Sequence, residues 1–202
     1  MSTTSFRYCD DRGEHGFGWL AEEAMTRTSH ALVASGKVWL VDPMDWSDAI
    51  ERARALGEPA AVLQLLDRHE RDCAALAERL AVPHLVAPDT VPESPFECVP
   101  IMRRRRWQER ALWWPERKTL AVADVLGTNA FYTAGKAPVG VHLFLRLTPP
   151  RALGTYEPEH LLTGHGEGLH GLATADAVRR ALAESRRRLP GVVVRIPFSS
   201  RG

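Results

Sequence analysis

The stretch LLDRHERDCAAL, Leu65 to Leu76, carries an unbroken run of ionisable side chains, Asp67-Arg68-His69-Glu70-Arg71-Asp72. Imidazole and carboxylate are the donor types that hold zinc, iron or manganese. Two other places repeat the pattern of an apolar run emptying into such a donor. TLAVA leads to Asp124, and HLLTG leads to His165. Each run reads as a strand, and open α/β sheets build their sites beyond the carboxyl ends of strands, where side chains escape the core. Gly164 and Gly166 flank His165. Glycines there let the backbone approach a neighbouring loop closely, or take φ > 0. Arg71 breaks the pattern, because a guanidinium stays protonated and cannot ligate a metal. Taken alone, 67–72 also fits a solvated helix start, where acidic residues favour the N-terminus.

The elements that must position these residues follow from periodicity and turn chemistry. HALVASGKVWLVDP, 30–43, predicts two strands around Ser35-Gly36, the second stopped by Asp42-Pro43. WSDAIERARALGEP predicts a helix with Ser47 as N-cap and Gly57 just past its end. AAVLQLL at 60–66 reads as a buried strand, CAALAERLAVP at 73–83 as a helix ended by Pro83, and HLVAP at 84–88 as a short strand. Proline-rich 88–100 reads as a loop. RALWWP (110–115) and TLAVADVLG (119–127) predict a strand pair, and VGVHLFLRL (139–147) is β-like. TADAVRRALAESRRRLP (174–190) is an amphipathic helix with Thr174 as N-cap and Pro190 as stop; 191–198 reads as a last edge strand. Strand-helix alternation in one half and hairpin-like strands in the other argue for a mixed sheet packed by helices, α/β or α+β.

The chain's 202 residues suit a single domain spanning 1–202, with 1–27 as an N-terminal extension and 190–202 as a tail. A formal net charge of +1 offers no global field for nucleic acid or anionic membrane. No apolar stretch is long enough for a membrane span, and no secretory h-region opens the chain. Cys9, Cys73 and Cys98 are odd in number and widely spaced, which fits a reducing cytoplasm rather than a disulfide framework. Arg103-Arg104-Arg105-Arg106-Trp107 is the one phosphate-binding pattern, and the balanced charge favours a charged loop over a nucleic-acid patch. His30, His84, His142, His160 and His170 stand alone near apolar runs and read as strand-edge or loop residues rather than ligands. His170 is placed to line a cleft mouth. Glu109 is within sequence reach of the cleft.

With these residues in view, the chain resembles the metallo-β-lactamase-fold superfamily over roughly 28–185. The hairpin ending at Asp42 resembles the opening strands that end in a structural aspartate. Asp67-Arg68-His69-Glu70-Arg71-Asp72 occupies the frame of the His-x-His-x-Asp-His motif. Asp124 in LAVAD matches the bridging aspartate, and His165 in LLTGHG the late Gly-His ligand. The resemblance implies a four-layered αββα sandwich. It also shows what has changed. Asp67 and Asp72 replace histidines, Arg71 replaces the motif aspartate, and Arg105 or a neighbour stands where a further histidine belongs.

Those exchanges disfavour a binuclear centre. At roughly 4 Å and an effective dielectric of ~20, a unit charge pair is worth about 4 kcal/mol, so Arg71, and Arg105 if it points inward, would repel a second metal or instead bind an anion. The same guanidinium would pair well with Asp67, Asp72 or Asp124. Two outcomes remain. One zinc, iron or manganese ion is held by His69, Asp124, His165 and one of Asp67 or Asp72; or no metal binds and an ion-pair network replaces it. The altered motif favours a non-catalytic binding or accessory protein that receives a small molecule or protein ligand in the cleft. The alternative is a mononuclear metal-dependent hydrolase of an ester, lactone, amide or phosphoester, with Asp67 or Asp72 as base. Oligomeric state is not encoded in any feature of the sequence.

Overall fold

The computed structural model describes residues 4–105 and 107–188. The first sheet has six strands in chain order: β1 (Phe6–Cys9), β2 (Gly16–Ala21), β3 (Thr28–Ala34), β4 (Lys37–Val41), β5 (Glu58–Gln64) and β6 (His84–Val86). Its first four strands are antiparallel neighbours, while β4, β5 and β6 run parallel. The parallel steps are made by crossover helices, α1 (Ser47–Leu56) and α2 (Cys73–Leu80). The second sheet has five strands, built from β7 (Glu97–Arg104), β8 (Trp107–Trp114), β9 (Thr119–Val122), β12 (His160–Thr163) and β13 (Leu169–His170), in the order β13-β12-β9-β8-β7. Between β9 and β12 lie a two-stranded ribbon, β10 (Leu126–Gly127) and β11 (Gly140–Val141), and the short α3 (Ala130–Thr133). The last helix, α4, covers Thr174–Glu184.

Alternation along the strands sorts the core into layers. In β3 and β4, Ala31, Val33, Val38 and Leu40 face α1 and α2, joining Ala49, Ile50, Ala53, Leu76 and Ala77. Leu32, Trp39 and Val41 point the other way and meet Ala111, Leu112, Leu120 and Leu162 of the second sheet. Val178, Ala181 and Leu182 of α4 join this inter-sheet cluster. The result is the expected four-layered αββα sandwich.

Several sequence readings need correction. Within the 1–27 foreseen as an extension, 6–21 supply β1 and β2, and the buried Phe17, Trp19 and Leu20 belong to the sheet. The proline-rich loop ends early, because β7 begins at Glu97 and carries Arg103 and Arg104. Segment 139–147 is extended only at Gly140–Val141 and then coils into a 3-10 turn over Leu143–Leu145. The turn is held by the His142 ring, which accepts from the Phe144 amide, and by the buried Arg146, which donates to the Tyr132 carbonyl. Neither Ser47 nor Thr174 caps its helix; each is the first helical residue. Pro190 and the edge strand foreseen at 191–198 lie outside the described residues. Among the described residues, no helix is long and apolar enough to cross a membrane.

Candidate metal centre

The parallel strands of both sheets end at one rim of the sandwich, and that rim is laced together. The Thr28 amide donates to Gly164 O and the Gly166 amide to Thr26 O. On the other flank, Asp67 N donates to Gln108 O and Arg110 N to Leu65 O. Asp42 follows β4, His69 follows β5, Asp124 follows β9 and His165 follows β12. Four loops from two sheets therefore meet at one place, which is why residues so distant in sequence become neighbours.

His69, Asp124 and His165 form the group whose donor atoms all lie within 4.8 Å of one another among the described residues. His69 Nε2 is 2.9 Å and His165 Nε2 is 3.1 Å from the same oxygen, Asp124 Oδ1. That oxygen is buried and has no hydrogen bond of acceptable geometry. Two imidazole nitrogens thus converge on an orphaned carboxylate oxygen. An unpaired buried acceptor is costly, and three donors about one cation at roughly 2.0–2.2 Å would satisfy it. The donor set fits a zinc-class ion.

The far sides of both rings are pinned. His69 Nδ1 lies 3.2 Å from Asp42 Oδ2, and His165 Nδ1 lies 3.0 Å from Met25 O. Both partners only accept, so each Nδ1 carries its proton and each Nε2 presents a lone pair inward in the neutral ring. A carboxylate or carbonyl behind a histidine is the usual support for a metal-binding imidazole. Asp42 is itself fixed, since its Oδ1 accepts the Leu65 amide. Tyr132 stacks on the His165 ring at 5.8 Å and 24°. Burial and the Arg71 charge oppose protonation of His69, but Asp124 and Asp42 outweigh them and push its pKa up to about 9, so in the metal-free site the ring carries a second proton on Nε2 that an incoming ion displaces. Burial also acts against ionised Asp124, yet the His165 and His69 contacts hold its carboxyl well below the usual range.

The glycines beside His165 have separate jobs. A Cβ on Gly164 would sit 2.8 Å from Ala123 O and 3.2 Å from the His69 ring. Gly166 has φ +93°, and a Cβ there would lie 2.3 Å from Thr128 Oγ1. Close approach at one and a left-handed turn at the other both exclude a side chain.

Glu109 is the residue whose role the sequence left open. It is fully buried, and both its oxygens are used. Oε1 accepts the consecutive amides of Asp124 and Val125, each at 2.9 Å, and Oε2 accepts Trp107 Nε1 at 2.9 Å. Its carboxylate therefore holds the turn that presents Asp124. Burial, then the Asp124 charge, push its pKa up to about 7. Trp107 in turn has the Arg68 guanidinium over its ring at 4.1 Å. The sequence signal for Glu109 was a carboxylate shortly ahead of the apolar run Ala111–Trp114.

Arg71 corrects an expectation. Its guanidinium donates to three carbonyls, Thr28 O at 2.5 Å, Asp42 O at 2.7 Å and Gly164 O at 3.0 Å, rather than to a carboxylate. It ties β3, the β4 end and the β12 loop together beside the three donors and does not stand between them. Its φ of +41° is a left-handed conformation held by those three bonds. The other anticipated residues are not among the three grouped donors. Asp72 is exposed and accepts the Asp45 amide. Asp67 is half-buried, with Oδ1 unpartnered. Arg105 lies in the turn that joins β7 to β8, exposed. Four surface clefts are lined by residues other than the three donors, which sit in the rim itself.

No family model matches the sequence, and no curated protein matches it. Solved structures do. A crystal structure of DIM-1 metallo-β-lactamase exposed to ceftazidime superposes with a TM-score of 0.56 at 13% identity, over 91% of this chain and 100% of that one. VMB-1 gives 0.56 at 9% identity over 91% and 99%. A second DIM-1 metallo-β-lactamase structure gives 0.55 at 14% identity over 89% and 98%. The chain has the metallo-β-lactamase fold over about nine-tenths of its length. At such identities the likeness speaks for the fold and not for activity.

Proposed function

We propose that this metallo-β-lactamase-fold protein is a mononuclear metal-dependent hydrolase whose ion is held by His69, Asp124 and His165. One observation carries the reading: Asp124 Oδ1 is buried, unpaired, and faced by two Nε2 atoms at 2.9 and 3.1 Å. Three protein donors match the count of catalytic zinc centres, which keep a fourth position open, rather than closed structural ones. An ion there supplies Lewis acidity toward a carbonyl or phosphoryl oxygen and acidifies a water. The chain's own groups do the positioning. Asp42 and Met25 O orient the imidazoles, Glu109 fixes the Asp124 turn, and Arg71 locks the loops that carry both. Asp67, with its unpartnered oxygen, is a better base than Asp72, whose carboxylate is engaged by Asp45 N. The substrate class is a small ester, lactone, amide or phosphoester.

A second reading, a binding or accessory protein without chemistry, is favoured by Arg71, which stands in the motif where a metal-binding aspartate belongs. Metal analysis of protein purified without chelator separates the two, combined with thermal shift on adding zinc, manganese or iron and a chromogenic panel of the four substrate types. One tightly held ion with turnover lost in Asp67→Asn supports the hydrolase. Sub-stoichiometric metal with no thermal shift sinks it, and a tightly held ion without turnover on any of the four types leaves the binding reading standing.

A further inference from the structure

Strand β12 begins with a histidine and is followed, two residues past its end, by another. His160 opens it, and His170 on β13 is its direct cross-strand partner. Their Nδ1 atoms face each other at 3.0 Å. Behind His170, Nε2 lies 3.0 Å from Asp10 Oδ1, and Asp10 is almost fully buried. A carboxylate there only accepts, so His170 carries its proton on Nε2 and its Nδ1 is a bare lone pair aimed at His160. The same Asp10 oxygen accepts the Gly168 amide, which fixes the carboxylate against the β12–β13 hairpin.

We propose that His160 and His170 form a second metal site, a chelating pair of Nδ1 donors that takes a zinc-, nickel- or copper-class ion. Two nitrogens bound at about 2.0–2.1 Å to one ion, at angles of about 90–110°, lie about 3 Å apart. That is the spacing the strand register already imposes. Binding needs one tautomer change, since His160 moves its proton from Nδ1 to Nε2 and no proton leaves the pair. Asp10 supplies the support that metal-binding imidazoles ordinarily have, so the pair is pre-set rather than merely adjacent. Imidazole donors select borderline metals over magnesium or calcium. The site is reachable: His170 is exposed, and His160 lines a cleft of about 460 Å³ with Arg12, Arg117 and Lys118.

The test uses untagged, full-length protein stripped of metal, titrated with Zn²⁺ or Ni²⁺ alone by calorimetry, with bound ions counted after desalting. Wild type is expected to take up two ions. His160→Ala and His170→Ala each lose one and keep the other; His69→Ala keeps the ion of the exposed pair. Asp10→Asn is expected to weaken that ion at least tenfold. If the buried centre proposed above is wrong, wild type takes one ion, lost in His160→Ala and retained in His69→Ala, and the pair stands without it. Equal stoichiometry and affinity in wild type, His160→Ala and His170→Ala overturn the proposal. The substituted rings are at the surface, so circular dichroism is expected to stay unchanged in both variants.

Discussion

The two ends of β12 hold the same inventory, two imidazoles and a carboxylate, arranged in opposite ways. At the carboxyl end, Asp124 sits between His69 and His165 and shares one oxygen with both Nε2 atoms. At the amino end, Asp10 sits behind His170, and the imidazoles face each other directly. In the first the carboxylate is a donor to the shared centre; in the second it is a support for one donor. Burial separates them further, since Asp124 and His165 are 9% and 7% exposed while His170 is open to solvent. Composition therefore does not decide what such a cluster does. The position of the carboxylate and the wetness of the site do.

Breaking the buried end is expected to give the largest effect. Asp124→Ala or His165→Ala removes one of three donors, and the share of the thermal stabilisation that zinc gives through this site should vanish. At a hundredfold excess over Kd that stabilisation is about 2.7 kcal/mol in wild type. Persistence of the full shift in both variants would move the ion elsewhere.

Arg71 belongs to the buried end, whereas the cations near His160, Arg12, Arg117 and Lys118, line an open cleft. Arg71→Ala leaves the carbonyls of Thr28, Asp42 and Gly164 without their donor. Hydrogen bonds to charged groups are worth about 1.5–3 kcal/mol each, so a loss of about 3 kcal/mol or more is expected after relaxation. Urea unfolding of the apo protein measures it. The same variant is expected to gain no extra ion at the buried end, because Arg71 faces carbonyls and not a vacated donor set. A new ion there would mean that its charge had been what excluded one.

The difference between the ends also explains what could be read from sequence. The fold was legible because strands β3, β4, β5, β9 and β12 are apolar runs with clear stops, and their terminal donors match a motif order. His69, Asp124 and His165 were legible for the same reason. Residues 6–21 were not, because β1 is short and mostly exposed, and polar residues separate it from β2. Glu109 and the His160–His170 pair were not, because their meaning lies in register: Leu66 opposite Glu109, and His160 opposite His170. Arg71 was legible as an obstacle to metal but not as a donor to carbonyls, since nothing in a sequence distinguishes a guanidinium beside a site from one within it.

Glu109 and Asp10 are the matching supports, one for a ligand carboxylate and one for a ligand imidazole. Glu109→Gln keeps the shape but gives one oxygen's place to an amide that cannot accept. Either the Trp107 bond or the Asp124–Val125 amide pair then loses its acceptor. Stability should fall by about 1–3 kcal/mol, and zinc affinity at the buried end by about tenfold, read by competition with a chromogenic chelator. Unchanged affinity alongside the lost stability would make Glu109 structural only.

The smallest expected effect tests whether the ends communicate, because His30 lies between them. Its Nε2 donates to Thr163 O beside the buried centre, and its unpartnered Nδ1 lies 3.9 Å from Asp10 Oδ2. Burial lowers its pKa; Asp10 and the Thr163 carbonyl act upward, and the charges of Arg12 and Arg71 add to the lowering. The unfolded chain then binds a proton below about pH 6.5 that the folded chain refuses, so stability falls as pH drops through that value toward the lowered one. Between about pH 7.5 and 5.5 this loss from His30 runs against the gains that the raised Glu109 and His69 contribute as pH falls, so the urea midpoint of metal-free His30→Gln should rise relative to wild type towards the acid end. A parallel pH dependence in both proteins would place the acid sensitivity in other groups.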